Sequence, residues 1–144
     1  MDFKDCVKFA NDHKTCYLAT AEGDQPRVRA MGMWYADETG FYFSSQTPKA
    51  LANQLAKNPR VEIAFYDPGI KPMGGVLRVS GKMEFVDDME IKARVYADRP
   101  FLKGMGVEGP DSPLLSVFRL AHGEAHLWTG ANSMYENDRE IIKF

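Results

Sequence analysis

A chain of 144 residues with 44% hydrophobic and 26% charged residues has the make-up of one folded domain, residues 1–144, and not of a disordered segment. A formal charge of −2 excludes a general pull on polyanions, so nucleic acid and anionic membrane surfaces are not expected partners and any phosphate site has to be local. No run is apolar and long enough for a bilayer span, Met1-Asp2-Phe3-Lys4-Asp5 lacks the basic start of a secretory leader, and the two cysteines, Cys6 and Cys16, have no metal or redox spacing; a reducing, cytoplasmic setting is expected.

Phe3, Cys6, Val7 and Ala10 fall at helical spacing and predict an amphipathic helix over Asp2–Asn11. Thr15–Thr20 is rich in strand formers, Glu22-Gly23-Asp24 signals a turn, and Arg27–Tyr35 predicts a second strand. Asp37-Glu38-Thr39-Gly40 is the next turn, and Phe41–Ser45 a third strand. At Thr47-Pro48 the period changes. Thr47 is the expected N-cap and Pro48 the first helical residue; Leu51, Ala52 and Leu55 form the buried stripe, and Asn58-Pro59 ends the helix.

Arg60–Tyr66 alternates as a fourth strand, a Pro- and Gly-rich loop runs from Asp67 to Gly75, and Val76–Val86 predicts one long fifth strand. A helix over Asp87–Ala97, with Met89 or Ile91 and Val95 inward, stops at Arg99-Pro100. Phe101–Pro113 reads as loop with one helical turn, Leu114–Trp128 as strand interrupted at Gly123, and Glu140–Phe144 as a final edge strand. Six or seven strands with few helices do not alternate as a doubly wound fold does. They predict a mainly β, α+β architecture: an antiparallel split barrel with flanking helices, closed because so small a sheet otherwise leaves long edges open.

The chemistry concentrates between Pro26 and Lys49. If strands two and three form a hairpin about Asp37–Thr39, Tyr35 faces Phe41, Met31 faces Ser45, Arg29 faces Thr47 and Arg27 faces Lys49. Arg27 and Arg29 then share a strand face beside a helix N-terminus, with Ser44 and Ser45 adjacent. Guanidinium forks, an ammonium, hydroxyls and free amides are what a phosphate dianion needs. A solvated surface accounts for the same residues, since arginine on an exposed strand and Pro-Lys at a helix start are ordinary. Met31, Met33 and Trp34 suit a planar ligand or a core equally. His122 and His126 flank a glutamate but do not form a helical zinc motif; on a strand they stand about 13 Å apart, so no metal site is expected.

The order Leu-Ala-Thr, Pro-Arg-Val-Arg, Gly-Phe-Tyr-Phe-Ser-Ser, Pro-Lys, Asn-Pro-Arg-Val and Val-Ser-Gly-Lys, from about Thr15 to Asp88, resembles the pyridoxamine 5′-phosphate oxidase-related, FMN-binding split-barrel family. The resemblance implies a homodimer with FMN at the subunit interface. By the same resemblance Arg29 and Lys49 hold the FMN phosphate, Ala30, Met31, Gly32 and Met33 run along the isoalloxazine ring, Ser44 and Ser45 are the small polar pair, and Trp128 reaches the flavin from the second subunit. It also implies an oxidoreductase that takes electrons from NAD(P)H or another donor and passes them to a small planar acceptor. Two departures argue against true pyridoxamine phosphate oxidase activity. No Arg-x-His segment follows Trp128, and Val76 stands where the oxidase has a glutamine. A flavin-binding or storage module without turnover, and a split barrel holding haem or F420, are the alternative readings.

Overall fold

The computed structural model describes residues 1–144. Helix α1 (Phe3–Asp12) is started by Asp2, whose carboxylate accepts from the Asp5 N–H while Asp5 returns the contact, a reciprocal capping box. The strands are β1 (Thr15–Glu22), β2 (Gln25–Gly32), β3 (Tyr35–Asp37), β4 (Gly40–Gln46), β5 (Arg60–Asp67), β6 (Gly75–Lys82), β7 (Glu84–Phe85), β8 (Leu115–Leu120), β9 (Gly123–Thr129) and β10 (Ile142–Lys143). Helices α2 (Ala50–Lys57), α3 (Met89–Asp98) and α4 (Phe101–Gly104) and a 3₁₀ segment, Ser133–Asp138, complete the chain. All ladders are antiparallel, in a six-stranded sheet β10-β9-β6-β5-β1-β2 and a four-stranded sheet β3-β4-β8-β7.

The ten strands are the seven expected segments with three of them divided: 25–37, 75–85 and 115–129. All three divisions carry the chain from one sheet to the other: β2 to β3, β6 to β7 and β8 to β9. The N–H of Met33 donates to Lys14 O at 2.8 Å, beside β1, and the next N–H, of Trp34, donates to Tyr42 O at 2.9 Å, in β4. Likewise Met83 N–H goes to Pro59 O and Val86 N–H to Val117 O. These corners enclose the main core: Leu18, Ile63, Phe65, Leu77 and Val79 from the larger sheet meet Phe41, Phe43, Phe118 and Leu120 from the smaller. Cys6 and Cys16 lie wholly buried in it as free thiols, and burial raises them to pKa values of about 11 and about 12. A second cluster, with Trp34, Tyr42, Val86, Val95, Leu102 and Val117, holds α3 and α4 against the outer side of the smaller sheet. On α3, Val95 is buried and Ile91 packs on this cluster, while Met89 is exposed.

Several local expectations are corrected. Only the tip of the expected hairpin exists: Tyr35 pairs with Tyr42 and Ala36 with Phe41. Below it β2 pairs with β1, so Met31 stands opposite Cys16, Arg29 opposite Leu18 and Arg27 opposite Thr20. Ser45 faces Ser116 of β8. Thr47 does not cap α2. Its hydroxyl donates to Pro113 O at 2.7 Å, and the N-cap position falls to Lys49, with Ala50 rather than Pro48 the first helical residue.

Gly40 closes the β3–β4 turn at φ +127°, and a Cβ there would collide with the Leu120 carbonyl. Gly40→Ala is expected to cost about 2–3 kcal/mol, read as a lower urea midpoint with an unchanged m-value. A loss under about 1 kcal/mol would mean that the turn relaxes around the methyl group.

Candidate functional site

The switch at Met33–Trp34 leaves β2 as the last strand of its sheet, so alternate backbone groups along one side of it meet no ladder partner. Beside it, at the end of β4 and the start of α2, lies a cavity of about 210 Å³. Ala30, Met31 and Gly32 form one wall, and Ser44, Ser45 and Lys49 face them. The sequence therefore named six residues that meet here, although they converge across two sheets and not along one hairpin. Lys49 is exposed and has no carboxylate partner, and no side chain caps the first turn of α2, which also carries no acid.

A wider cavity of about 760 Å³ adjoins the first, sharing Gly32, Arg99 and Phe101 with it. Met33, Trp34 and Tyr35 line it from the strand corner; Arg94 and Asp98 line it from α3, and Lys14 from the approach to β1. The Trp34 indole is clamped by α3: its N–H donates to Asp98 Oδ2 at 2.8 Å, and the Arg94 guanidinium lies 5.3 Å from its centroid and from that of Tyr35. Lys14 donates to Trp34 O at 2.9 Å. Burial first, then the hydrogen bond to Asp37, raise the Tyr35 phenol above its ordinary pKa, so it stays protonated at neutral pH.

Arg99 joins the two cavities. Its Nη2 donates to Gly32 O at 2.9 Å and its Nη1 to Ser44 Oγ at 3.3 Å. Burial lowers its pKa from the usual arginine value, with Asp98 acting the other way. Lys14, Arg94 and Arg99 make no salt bridge. None of these three was foreseen. Lys14 precedes a strand, Arg94 sits in a helix remote in sequence, and Arg99-Pro100 reads as a stop signal.

Three expected residues line neither cavity. Arg27 is exposed and paired with Glu22 Oε1 at 3.1 Å. Arg29 turns its guanidinium onto Thr20 Oγ1 at 2.9 Å, Leu18 O at 3.3 Å and Gln54 Oε1 at 2.6 Å. Trp128 lies in β9 opposite Val76, on the outer face of the larger sheet. His126 lies in the same strand, and His122 lies outside it, just before β9 begins.

A model of the pyridoxamine 5′-phosphate oxidase family matches residues 3–129. The chain belongs to this family. A pyridoxine/pyridoxamine 5′-phosphate oxidase of Pseudomonas paraeruginosa is 33% identical over 90 residues, which cover 62% of this chain but only 40% of the relative. A NimC/NimA family protein of Clostridium acetobutylicum superposes with a TM-score of 0.77 at 28% identity, covering 98% of this chain and 92% of that one. An FAD-binding protein of Mesorhizobium loti has the same fold, with a TM-score of 0.63 at 20% identity over 83% of this chain and 86% of that one. The family's split barrel is the architecture described above, and no helix of it is long and apolar enough to cross a membrane.

The donors in the smaller cavity, an unpaired ammonium, two serine hydroxyls and one face of a guanidinium, together with the uncapped start of α2 that follows Lys49, fit a phosphomonoester. Inorganic phosphate is therefore expected to stabilise the ligand-free protein. For a Kd of about 1 mM, about 10 mM phosphate adds about 1.4 kcal/mol, a rise of about 5 °C in Tm over chloride at equal ionic strength. Lys49→Ala and Arg99→Ala should each abolish most of the rise. Equal Tm values in the two salts would show that these donors do not act together on an anion.

Proposed function

We propose that this protein is an FMN-dependent oxidoreductase, working as a homodimer on a small, planar, negatively charged substrate. The observation that carries the reading is the continuity of the two cavities through Gly32, Arg99 and Phe101. One end offers the donors of a phosphate site, and the other an aromatic, cation-bearing wall large enough for a small molecule. Between them runs an edge strand with free backbone groups.

FMN, when bound, supplies the redox chemistry. Lys49, Ser44, Ser45 and the first-turn amides of α2 would hold its phosphate, joined from β2 by Arg29, whose guanidinium, outside the cavity lining, bonds Gln54 in the second turn of the same helix. The backbone of Ala30 to Met33 would supply donors and acceptors to the polar edge of the ring. Trp34, fixed from two sides by Asp98 and Arg94, gives the substrate cavity a rigid wall, and its burial excludes water from that side. Lys14 and Arg94 favour a substrate that carries negative charge. Electrons would come from NAD(P)H or another donor.

Two features support the dimer. Trp128 is four strands from β2 within its own chain, about 19 Å at the usual strand spacing, so it meets a flavin lying along β2 only if that flavin belongs to a second copy. The outer face of the larger sheet also carries Tyr17, Val28 and Tyr66 at 53%, 69% and 45% exposure, with Ala30, Ala64, Val76 and Trp128 in register beside them. An apolar face of this kind calls for a cover.

The purified protein is expected to be yellow, with a band near about 450 nm, to elute as a dimer, and to oxidise NADPH or NADH with menadione or a nitroarene as acceptor. A Soret band, or absorption further to the blue, would replace FMN by haem or F420. Bound flavin without turnover for any donor would leave a storage module. Trp128→Ala should reduce FMN affinity tenfold or more with little change in Tm; a fall in Tm alone would make Trp128 a packing residue.

A further inference from the structure

The group that fixes Arg29 is an amide, although a carboxylate is close by. Gln54 sits in the second turn of α2 and is buried. Its Oε1 accepts from Arg29 Nη2 at 2.6 Å and from Thr20 Oγ1 at 2.7 Å, and its Nε2 donates to Glu22 Oε2 at 3.1 Å. The other Glu22 oxygen takes Arg27 at 3.1 Å. The amide orientation is forced by its neighbours: a guanidinium only donates and a carboxylate only accepts, so a flipped amide would oppose both. The chain of contacts is therefore Arg27, Glu22, Gln54, Arg29, with the two charges of one ion pair at one end and a single cation at the other.

Glu22 is held one amide length from Arg29 and is already neutralised by Arg27. Arg29 itself touches no carboxylate. Its bonds to Leu18 O, Thr20 and Gln54 use three of the five guanidinium N–H groups, two on Nη1 and one on Nη2. The Nε–H and the second Nη2–H are left. A glutamate at position 54 would hold the guanidinium as firmly but cancel its charge. An apolar residue there would leave the charge and lose the aim.

We infer that Gln54 is a positioning residue: it orients Arg29 toward a phosphoryl group and, as a neutral spacer, keeps Glu22 from neutralising it. This rests on the reading above that Arg29 serves the FMN phosphate. Gln54 itself does not touch the ligand. Its contact with Arg29 lies about 7.5 Å along the axis of α2 from Lys49, so one helix sets the spacing of both cations.

The test compares FMN with riboflavin, which lacks the phosphate, in flavin-fluorescence titrations of the flavin-free full chain at fixed ionic strength. The double variant Glu22→Gln, Gln54→Glu exchanges carboxylate and amide, keeping the side-chain sizes while moving the negative charge next to Arg29. It is expected to lose tenfold or more in FMN affinity and to keep riboflavin affinity within twofold. Glu22→Gln alone, which leaves Gln54 in place, should bind FMN as well as the parent or better. Gln54→Met, which retains the bulk but no acceptor, should lower the FMN-to-riboflavin preference at least threefold, and it serves if the double variant does not fold. An unchanged preference in the exchanged or Met variant, or equal losses for both flavins, overturns the inference and leaves Gln54 a packing residue. Arg29→Ala separates the two levels: if it does not change the preference, Arg29 does not serve the phosphate and the underlying reading falls instead.

Discussion

Between Met33 and Trp34 the backbone changes partners, one N–H bonding toward β1 and the next toward β4. Neither amide can be left buried without an acceptor, so the chain is fixed at the point where it leaves one sheet and enters the other. Much of the site follows from this. The switch makes β2 a free edge, places Trp34 and Tyr35 against α3, and opens the gap between sheets that Ser44, Lys49 and Arg99 border. The matching switch at Met83 to Val86 closes the barrel on its other side and leads the chain toward α3, which carries Arg94 and Asp98.

The electrostatics of the two cavities are unbalanced in one direction. Lys14, Lys49, Arg94 and Arg99 surround them without an ion pair, and Asp98 is engaged by the Trp34 indole. Elsewhere Arg78, Arg119 and Arg27 each have a glutamate. For Arg29 and Arg99, burial works against the charged form. Partly buried cations without anions cost stability that an anionic ligand returns on binding.

The strand segments and α1 were legible because their apolar periods are strong and their turns carry Gly, Asp and Pro. Of the six residues about the smaller cavity, Met31, Ser44, Ser45 and Lys49 were legible because they are close in sequence on either side of one turn, and Ala30 and Gly32 only through the family resemblance. The partner switches were not, since a strand that changes sheets keeps extended dihedrals and alternation. The one trace they leave is a glycine beside each corner, Gly32, Gly81 and Gly123, where a barrel bends. The wrong register for Arg27 and Arg29 came from reading 27–35 as one strand. Thr47 was misread as a cap because its carbonyl partner, Pro113, is 66 residues away. Lys14, Arg94 and Arg99 converge only through tertiary packing, which no local window contains.

The two wholly buried thiols bear on how the chain meets oxidants. With pKa values of about 11 and about 12, less than about one in a thousand is thiolate at neutral pH, and the thiolate is the form that peroxide attacks. The sulfur that solvent does reach belongs to methionines, foremost Met73 and Met134, on the surface and away from the core. Oxidative wear would therefore begin as reversible sulfoxide on the periphery, leaving the packed interior chemically silent.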